Sequence, residues 1–507
     1  MKVVFVHLDL GIGGAEMLVI NSAVAAKRSG HRVLVYTSHH DQRRCFQETK
    51  GGGVLAEDIR VRGDWLPRHL AFGRFTAFCA VLRLLWKVTC TPASAEVVSS
   101  ILTKPVGFVS PVSKHQIQPA EYGGEQADAG RDCRTRIVMF CDGVSAPVPL
   151  LRLAGEVLFY CHFPDKLLCV ERGSLLKRIY RWPLDMMEEL TTGCASSVAV
   201  NSNFTAGIFR ETFPRVGKRF PPAALAQGSP SQQEGNVDAR RKQRLRVLYP
   251  PTDVKAYAER GPADMPPSGT VGPLVSLNRF ERKKNLPLAL KALGWAVRDM
   301  GASVASSKGL RLIIAGGYDE RVAENVEHLE ELKQCARELG LEDLVDFRLN
   351  VADEERSSLL RQALCVLYTP SQEHFGIVPV EAMCSGAPVV AVDSGGPLET
   401  VVHEVTGFLC PPTEEAFGAA IVRLARDPSE GEAMGREGRK RVREKFSMES
   451  FTSTFDAILR DLASDSRRSA ATLSWWPWLR KASLFAVAFL VGLAGTTIFS
   501  GGDLPKQ

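Results

Sequence analysis

The stretch Glu373-His374-Phe375-Gly376-Ile377-Val378-Pro379-Val380-Glu381 places two carboxylates on either side of an expected strand-to-helix turn. Apolar runs flank it at 364–368 and 388–392, and the second leads into Ser394-Gly395-Gly396-Pro397. Strand, turn, helix, strand is the pattern of a doubly wound α/β sheet, whose ligands lie beyond the carboxyl ends of the strands. Glu373 is expected on the loop and Glu381 in the first turn of a helix opening near Pro379. Backbone amides at that helix start and in the Gly395-Gly396 turn suit a diphosphate, and the two acids suit sugar hydroxyls. A nucleotide sugar satisfies both halves. A single Glu in a first helical turn is also favoured by the helix dipole alone, so the whole constellation carries the expectation.

Upstream, a short strand at 273–277 runs into Asn278-Arg279-Phe280-Glu281-Arg282-Lys283-Lys284-Asn285. Arg282 and Lys283 read as a solvated basic face. Arg279 and Lys284 fall where a phosphate pocket follows the strand, and fixed cations there would neutralise charge on a departing nucleoside diphosphate. At the amino end, a strand at 3–7 leads through Asp9-Leu10-Gly11-Ile12-Gly13-Gly14-Ala15-Glu16 into an apolar-periodic helix to about residue 28 and a second strand at 32–37. The glycines permit close approach of a ligand, although a tight strand-to-helix connection would also use them. Further strands are expected at 137–142, 157–162 and 198–202, each closing on polar residues. Asp142 and His162, within Tyr160-Cys161-His162-Phe163-Pro164-Asp165, are the candidates there.

The Glu373 and Glu381 spacing resembles the Glu-x7-Glu motif of retaining GT-B glycosyltransferases. The stretches 159–165, 200–205, 276–285, 373–383 and 393–399 resemble, in order, the alpha-1,3/1,6-mannosyltransferase family of dolichol-linked oligosaccharide assembly, over most of 1–213 and 247–462. The resemblance implies two Rossmann-like domains facing a cleft and GDP-mannose as donor. Glu373 would hold the donor hexose and Glu381 the ribose, with Arg279 and Lys284 on the diphosphate. His374, Phe375, Gly376, Ile377, Val378 and Gly317 complete the implied donor set. Gly13, Gly14 and Asp142 fall on the acceptor side, and His162 lies over the donor sugar. Glu373, His162, Lys284 and Arg279 are the implied catalytic group. The implied reaction adds an α-1,3 and then an α-1,6 mannose to mannosyl-chitobiosyl diphosphodolichol on the cytosolic face of the endoplasmic reticulum, with retention of configuration. No residue is an evident covalent nucleophile, so front-face displacement is expected. No Asp-x-Asp motif lies near the donor stretch, so neither a protein-bound catalytic metal nor a further cofactor is expected.

The 507 residues are ample for two large cores. The expected division is 1–250 for the acceptor domain, 251–447 for the donor domain, and 448–465 for a helix returning to the first domain. Two stretches rich in Gly, Pro, Gln, Ala and basic residues, 110–134 and 215–244, read as disordered surface insertions. A juxtamembrane linker at 466–481 precedes an expected transmembrane helix at 482–500, whose 18 uncharged residues from Ala482 to Phe499 would span roughly 27 Å. Trp475, Trp476, Trp478, Arg480 and Lys481 flank it on one side and place the domains in the cytosol. Residues 66–88 fit either an in-plane interfacial helix or a core helix. Twelve cysteines without a Cys-x-x-Cys pair fit a reducing compartment. The net charge of +6 is modest and lacks the aromatic pairing of a nucleic-acid surface, so the endoplasmic reticulum membrane is the expected partner surface. Other glycosyltransferases of the pathway are admitted as partners. A sibling mannosyltransferase with another lipid-linked acceptor, and a non-catalytic nucleotide-sugar-binding scaffold, use the same residues.

Overall fold

A computed structural model describes residues 1–67, 79–80, 83–84, 136–168, 175–217, 244–257 and 260–465. Val-rich runs bounded by turns form two parallel sheets whose central strands are buried on both faces, which is why those strands carry near-continuous apolar sequence. The first has seven strands: β1 (Lys2–Val6), β2 (Arg32–Thr37), β3 (Ile59–Val61), β4 (Ile137–Asp142), β5 (Glu156–Cys161), β6 (Ser197–Val200) and β7 (Arg244–Val247), in the order β3-β2-β1-β4-β5-β6-β7. The second has six: β8 (Leu274–Leu277), β9 (Leu312–Gly316), β10 (Val345–Leu349), β11 (Cys365–Tyr368), β12 (Val389–Val392) and β13 (Gly407–Cys410), in the order β10-β9-β8-β11-β12-β13. In each sheet the winding reverses once, between β1 and β4 and between β8 and β11. A parallel sheet leaves a crevice at such a reversal because the helices on either side depart to opposite faces.

Polar residues cluster at those two reversals. His7 follows β1, Asp142 ends β4 and His162 follows β5; Asn278 and Arg279 follow β8, and Glu373 lies five residues beyond β11. The register sets Val6 beside Cys141 and Asp142 beside Tyr160, so these strand ends emerge together.

The chain crosses between the two sheets twice, at neighbouring points. Thr252 N–H donates to the Phe446 carbonyl at 2.8 Å, and Thr252 bridges Ser447. The helix Met448–Asp465 then packs on the first sheet. Its Phe455 is fully buried against Phe140, edge to face at 5.8 Å, and against Phe5 at 6.4 Å. Polar contacts fix its register: His31 Nε2 meets Asp456 at 2.7 Å, and Arg246 pairs with Asp461.

Some sequence expectations need correction. Residues 215–217 belong to the short helix Pro214–Gly217, and Arg244 opens β7, so both ends of the second supposed insertion are ordered structure; 218–243 lie outside the described residues, as do 110–134. In the 66–88 segment, the described Cys79, Arg83 and Leu84 are buried, and Arg83 forms a two-pronged pair with Asp9 at 2.8 and 3.0 Å. Among the described residues no helix is long and apolar enough to cross a membrane, and the 482–500 span lies outside them.

Phe455→Ala should lower the unfolding free energy by about 3–5 kcal/mol, the usual cost of emptying a buried aromatic site. Urea denaturation followed by fluorescence measures it. A loss below about 1 kcal/mol would mean the helix is not part of the first core.

Candidate active site

The donor-side half starts at the turn Arg282–Lys284, which ends because Asn285 adopts a left-handed conformation with φ of 49°. Thr369 Oγ, just beyond β11, donates to the Lys284 carbonyl at 2.7 Å and ties this turn to the neighbouring strand. Lys284 Nζ thereby meets Glu373 Oε2 at 2.6 Å, a pair 89 residues apart in sequence. Burial is the largest influence and pushes the Glu373 carboxyl up, but Lys284 together with His374 and Lys283 outweighs it and the net direction is downward, so this acid is held ionised. Arg279 stands apart, its side chain 63% exposed and 3.0 Å from Glu281. Gly317 lies under its stem: a Cβ there would sit 3.3 Å from Arg279 Cγ. The solvated reading of Arg282 and Lys283 holds, since both are exposed and pair with Glu327, Glu331 and Glu281.

Three details of the Glu373–Glu381 stretch differ from the sequence reading. The helix runs Ile377–Cys384, not from Pro379, so its first amides belong to Ile377 and Val378. Gly376 caps it with φ of 80°, a conformation that disfavours any side chain. Glu381 is therefore mid-helix and buried, not a first-turn residue: Arg356 pairs with it and Tyr257 hydrogen-bonds to it. Burial is the larger influence and pushes its carboxyl up, opposite to Glu373. The Gly396 amide donates to the Glu373 carbonyl at 2.7 Å, and a Cβ at Gly395 would fall 2.5 Å from that same carbonyl oxygen. The glycine turn thus supports the Glu373 loop from behind, and its Gly396 amide is already committed. Phe375 turns its ring into the core beside Tyr249 and Phe446, leaving only backbone toward the cleft.

The two halves touch across the loop. The His374 ring stacks on Phe163 with centroids 3.7 Å apart, and its carbonyl accepts from Ser202 Oγ at 2.5 Å. Glu399 accepts from the Asn203 and Phe204 amides at 2.9 and 2.8 Å and from Tyr249 Oη at 3.0 Å, closing the start of the helix Asn203–Thr212. His162 is partly exposed, and its Nε2 lies 3.2 Å from Asp142 Oδ2. Asp142 Oδ1 is 2.7 Å from His7 Nδ1. Asp142 is buried, which alone would push its carboxyl up, yet the two imidazoles hold it well below the usual carboxylate range.

On the acceptor side, Gly13 caps the helix Gly14–Arg28 in extended backbone, φ of −171°, which any residue adopts. A Cβ on Gly14 would meet nothing within 4 Å, and one on Gly13 only the flexible Glu16 carboxylate. The connection itself does not demand glycine at either position.

Sequence reading therefore named one side of most contacts and missed the partners: His7, Tyr257, Glu281, Arg356 and Glu399. His7 carried a detectable sign, a polar residue at the end of a buried parallel strand. Arg356 carried none, since it lies on a separate helix, Asp353–Gln362. Among the described residues no group of three or more His, Cys, Asp or Glu is placed to hold a metal ion.

Residues 270–441 match the family model described as glycosyl transferases group 1. The chain is 42% identical over 459 residues to the human alpha-1,3/1,6-mannosyltransferase ALG2, covering 89% of this chain and 94% of that protein. This chain belongs to the ALG2 alpha-1,3/1,6-mannosyltransferase family. The Dictyostelium discoideum ALG2 is 38% identical over 480 residues, covering 91% of this chain and 98% of that one. Among solved structures, a sucrose-phosphate synthase from Thermosynechococcus elongatus superposes with a TM-score of 0.57 at 18% identity, covering 92% of this chain and all of that one. Anabaena Alr3699/HepE in complex with UDP gives 0.55 at 18% identity, covering 91% of this chain and 100% of that chain. These likenesses establish the GT-B fold, two Rossmann-like units around a cleft, for this family member.

Two outcomes follow for the site. Gly14→Ala should leave unfolding free energy within about 0.5 kcal/mol while lowering mannosyl transfer; an active Gly14→Ala enzyme would remove the glycine loop from the acceptor site. Beneath the 160–165 segment, Glu188 accepts from the Asp165 and Lys166 amides at 2.7 and 3.0 Å, and burial pushes its carboxyl from 4.5 up to about 7. A folded value above the unfolded one gives stability that is complete below 4.5 and is lost as pH rises through about 7. Glu188→Gln should flatten that fall, read as the difference in urea midpoint between about pH 5 and about pH 8. An unchanged slope would sink the assignment.

Proposed function

We propose that this chain transfers mannose from GDP-mannose to mannosyl-chitobiosyl diphosphodolichol, adding an α-1,3 and then an α-1,6 mannose in the assembly of the N-glycan precursor. The observation that carries the donor site is the Lys284–Glu373 pair at 2.6 Å, set at the reversal point of the second sheet. Lys284 supplies fixed positive charge for the diphosphate, and Arg279 adds a second cation that must move into place. Arg279 is free to swing from its exposed pairing with Glu281 onto a bound phosphate, because a surface ion pair holds it by only about 0–1 kcal/mol. The ionised Glu373 accepts from hydroxyls of the mannose ring. Glu381, steadied by Arg356 and Tyr257, accepts from the ribose. The Ile377 and Val378 amides at the helix start face the diphosphate.

As the anomeric carbon separates from the phosphate oxygen, negative charge grows on the leaving diphosphate, and the preset Lys284 stabilises it by roughly 3–4 kcal/mol where the cleft excludes water. The acceptor hydroxyl attacks from the face the phosphate is leaving. Its proton passes to the departing phosphate oxygen, and configuration at the anomeric carbon is retained. Gly13 and Gly14 leave room for the acceptor, and Asp142 acts through His162. We place the catalytic domains on the cytosolic face of the endoplasmic reticulum, anchored through 482–500, whose hydrophobic length suits one crossing.

Protein reconstituted in lipid and given GDP-mannose with the mannosyl-chitobiosyl lipid acceptor should add two mannoses. Glu373→Ala and Lys284→Ala should each lower the rate about 10²–10³-fold. Wild-type protein that binds GDP-mannose yet leaves this acceptor unchanged would instead point to another lipid-linked acceptor or to a scaffold.

A further inference from the structure

The first sheet carries a second group of polar side chains, on the far side of β1 from Asp142 and His162. Beyond β1, residues 9–10 pair in parallel with residues 39–40 beyond β2, which sets Asp9 beside His39. Thr37 Oγ and the Ser38 amide both donate to the Leu8 carbonyl, at 3.2 and 2.8 Å, and hold the two segments together. Beyond β3, the Leu66 amide donates to the Gly63 carbonyl at 3.2 Å, so Asp64 and Trp65 are the corner residues of a turn. His39 Nδ1 lies 3.0 and 3.2 Å from the two Asp64 oxygens. Three connections remote in sequence thus bring Asp9, His39, Asp64 and Trp65 to the carboxyl edge of β1, β2 and β3, the edge at which such sheets bind ligands.

Behind them the Arg83 side chain, only 2% exposed, holds Asp9 with both terminal nitrogens at 2.8 and 3.0 Å and has Asp64 at 4.0 Å. A guanidinium that deep is costly unless its partner is firmly placed, yet Asp9 stays 31% open to solvent and Asp64 more so. Arg83 Nε finds no acceptor among the described residues, so the group is not a closed ion-pair network. The buried cation therefore fixes a half-open carboxylate whose remaining lone pairs are available to donors. Next to Asp64 the Trp65 side chain is 70% exposed, so this turn forgoes the burial that normally holds an indole. A pyranose has an apolar face of C–H groups and an edge of hydroxyl donors. An open indole suits the face and fixed carboxylates suit the edge, and one aromatic wall with a few placed polar groups is the make-up of a small-molecule subsite. Neighbouring strands lie about 4.7–4.9 Å apart, so the group stands two to four strand widths, roughly 10–20 Å, from His162 along the sheet edge. That distance suits a sugar set back from the reacting hydroxyl.

We infer that Asp9, Asp64 and Trp65 form a subsite for the non-reacting sugars of the acceptor: the indole stacks on a pyranose face and the two carboxylates accept from its hydroxyls, with Arg83 and His39 as positioning residues behind them. The inference rests on the mannosyl-transfer reading. Within that reading it assigns the chitobiosyl part of the acceptor to this group and leaves the terminal mannose toward His162. Holding the acceptor by sugars that neither transfer alters leaves that mannose able to present first one hydroxyl and then another.

The test uses full-length protein in lipid nanodiscs with two readouts: mannosyl transfer to the mannosyl-chitobiosyl lipid acceptor, and saturation-transfer NMR with mannosyl-chitobiose that carries no lipid. Trp65→Ala and Asp64→Asn alter exposed positions and should fold, and Trp65→Phe keeps a ring. Each of the first two should raise KM for the acceptor at least about tenfold with KM for GDP-mannose unchanged, and Trp65→Phe should restore most of the loss. Wild-type protein should transfer saturation to the C–H protons of the free glycan, and Trp65→Ala should not. Unchanged acceptor KM in both variants overturns the inference and leaves mannosyl transfer in place, as does wild-type protein that gives the free glycan no saturation. A defect in Trp65→Ala confined to the lipid-bearing acceptor, with the free glycan saturated as in the wild type, would make the indole a contact for lipid and overturns it too. Wild-type protein that saturates the free glycan through Trp65 but transfers no mannose would keep the subsite and overturn the functional reading instead.

Discussion

The Lys284–Glu373 ion pair is the contact on which the site depends. It joins the ends of β8 and β11, the two strands between which the second sheet reverses direction, and it is partly shielded from water. A pair in that setting is costly unless each partner is otherwise held. Both are held: Thr369 fixes the lysine's turn through its carbonyl, and Gly395 and Gly396 press against the glutamate's backbone. The ion pair is therefore the outcome of backbone placement, and it keeps an ammonium and a carboxylate largely apart from the bulk solvent.

The two glutamates of the motif occupy opposite electrostatic situations. Glu373 has a lysine ammonium against it. Glu381 lies deep in a helix against a guanidinium and a phenol, with burial outweighing both. Equal residues at a fixed spacing have thus become one carboxylate held ionised and one pushed toward its neutral form. The difference comes entirely from what packs against each.

Contacts between the two halves converge on the same short loop. Phe163 and Ser202 from the first sheet hold His374, while Glu399 from the second closes the helix that follows Ser202. The residue beside the catalytic carboxylate candidate is consequently also the place where the two domains meet, so approach of the domains and alignment of Glu373 are mechanically linked. The helix Met448–Asp465 contributes from the far side by fastening the end of the second unit to the core of the first through Phe451, Phe455 and Leu459.

Sequence alone determined the strands and their parallel, two-sided burial, because a central strand must be apolar throughout and Val-rich runs between turns have few other uses. It also determined the family and the residues at the ends of those strands: Glu373, Lys284, Arg279, Asp142 and His162. Tertiary structure decided the pairings. His7 lies 135 residues from Asp142, Lys284 lies 89 from Glu373 and Asn203 lies 196 from Glu399. No local spacing encodes such distances, since they depend on strand order and on two crossings of the chain between sheets. Only folding showed that the Gly396 amide is committed to Glu373, that Glu381 is mid-helix and walled in by Arg356, and that the turn at Gly13 and Gly14 does not itself demand glycine. Propensity and periodicity report on neighbours in sequence, whereas burial, pairing and the direction of each carboxylate's shift are properties of neighbours in space.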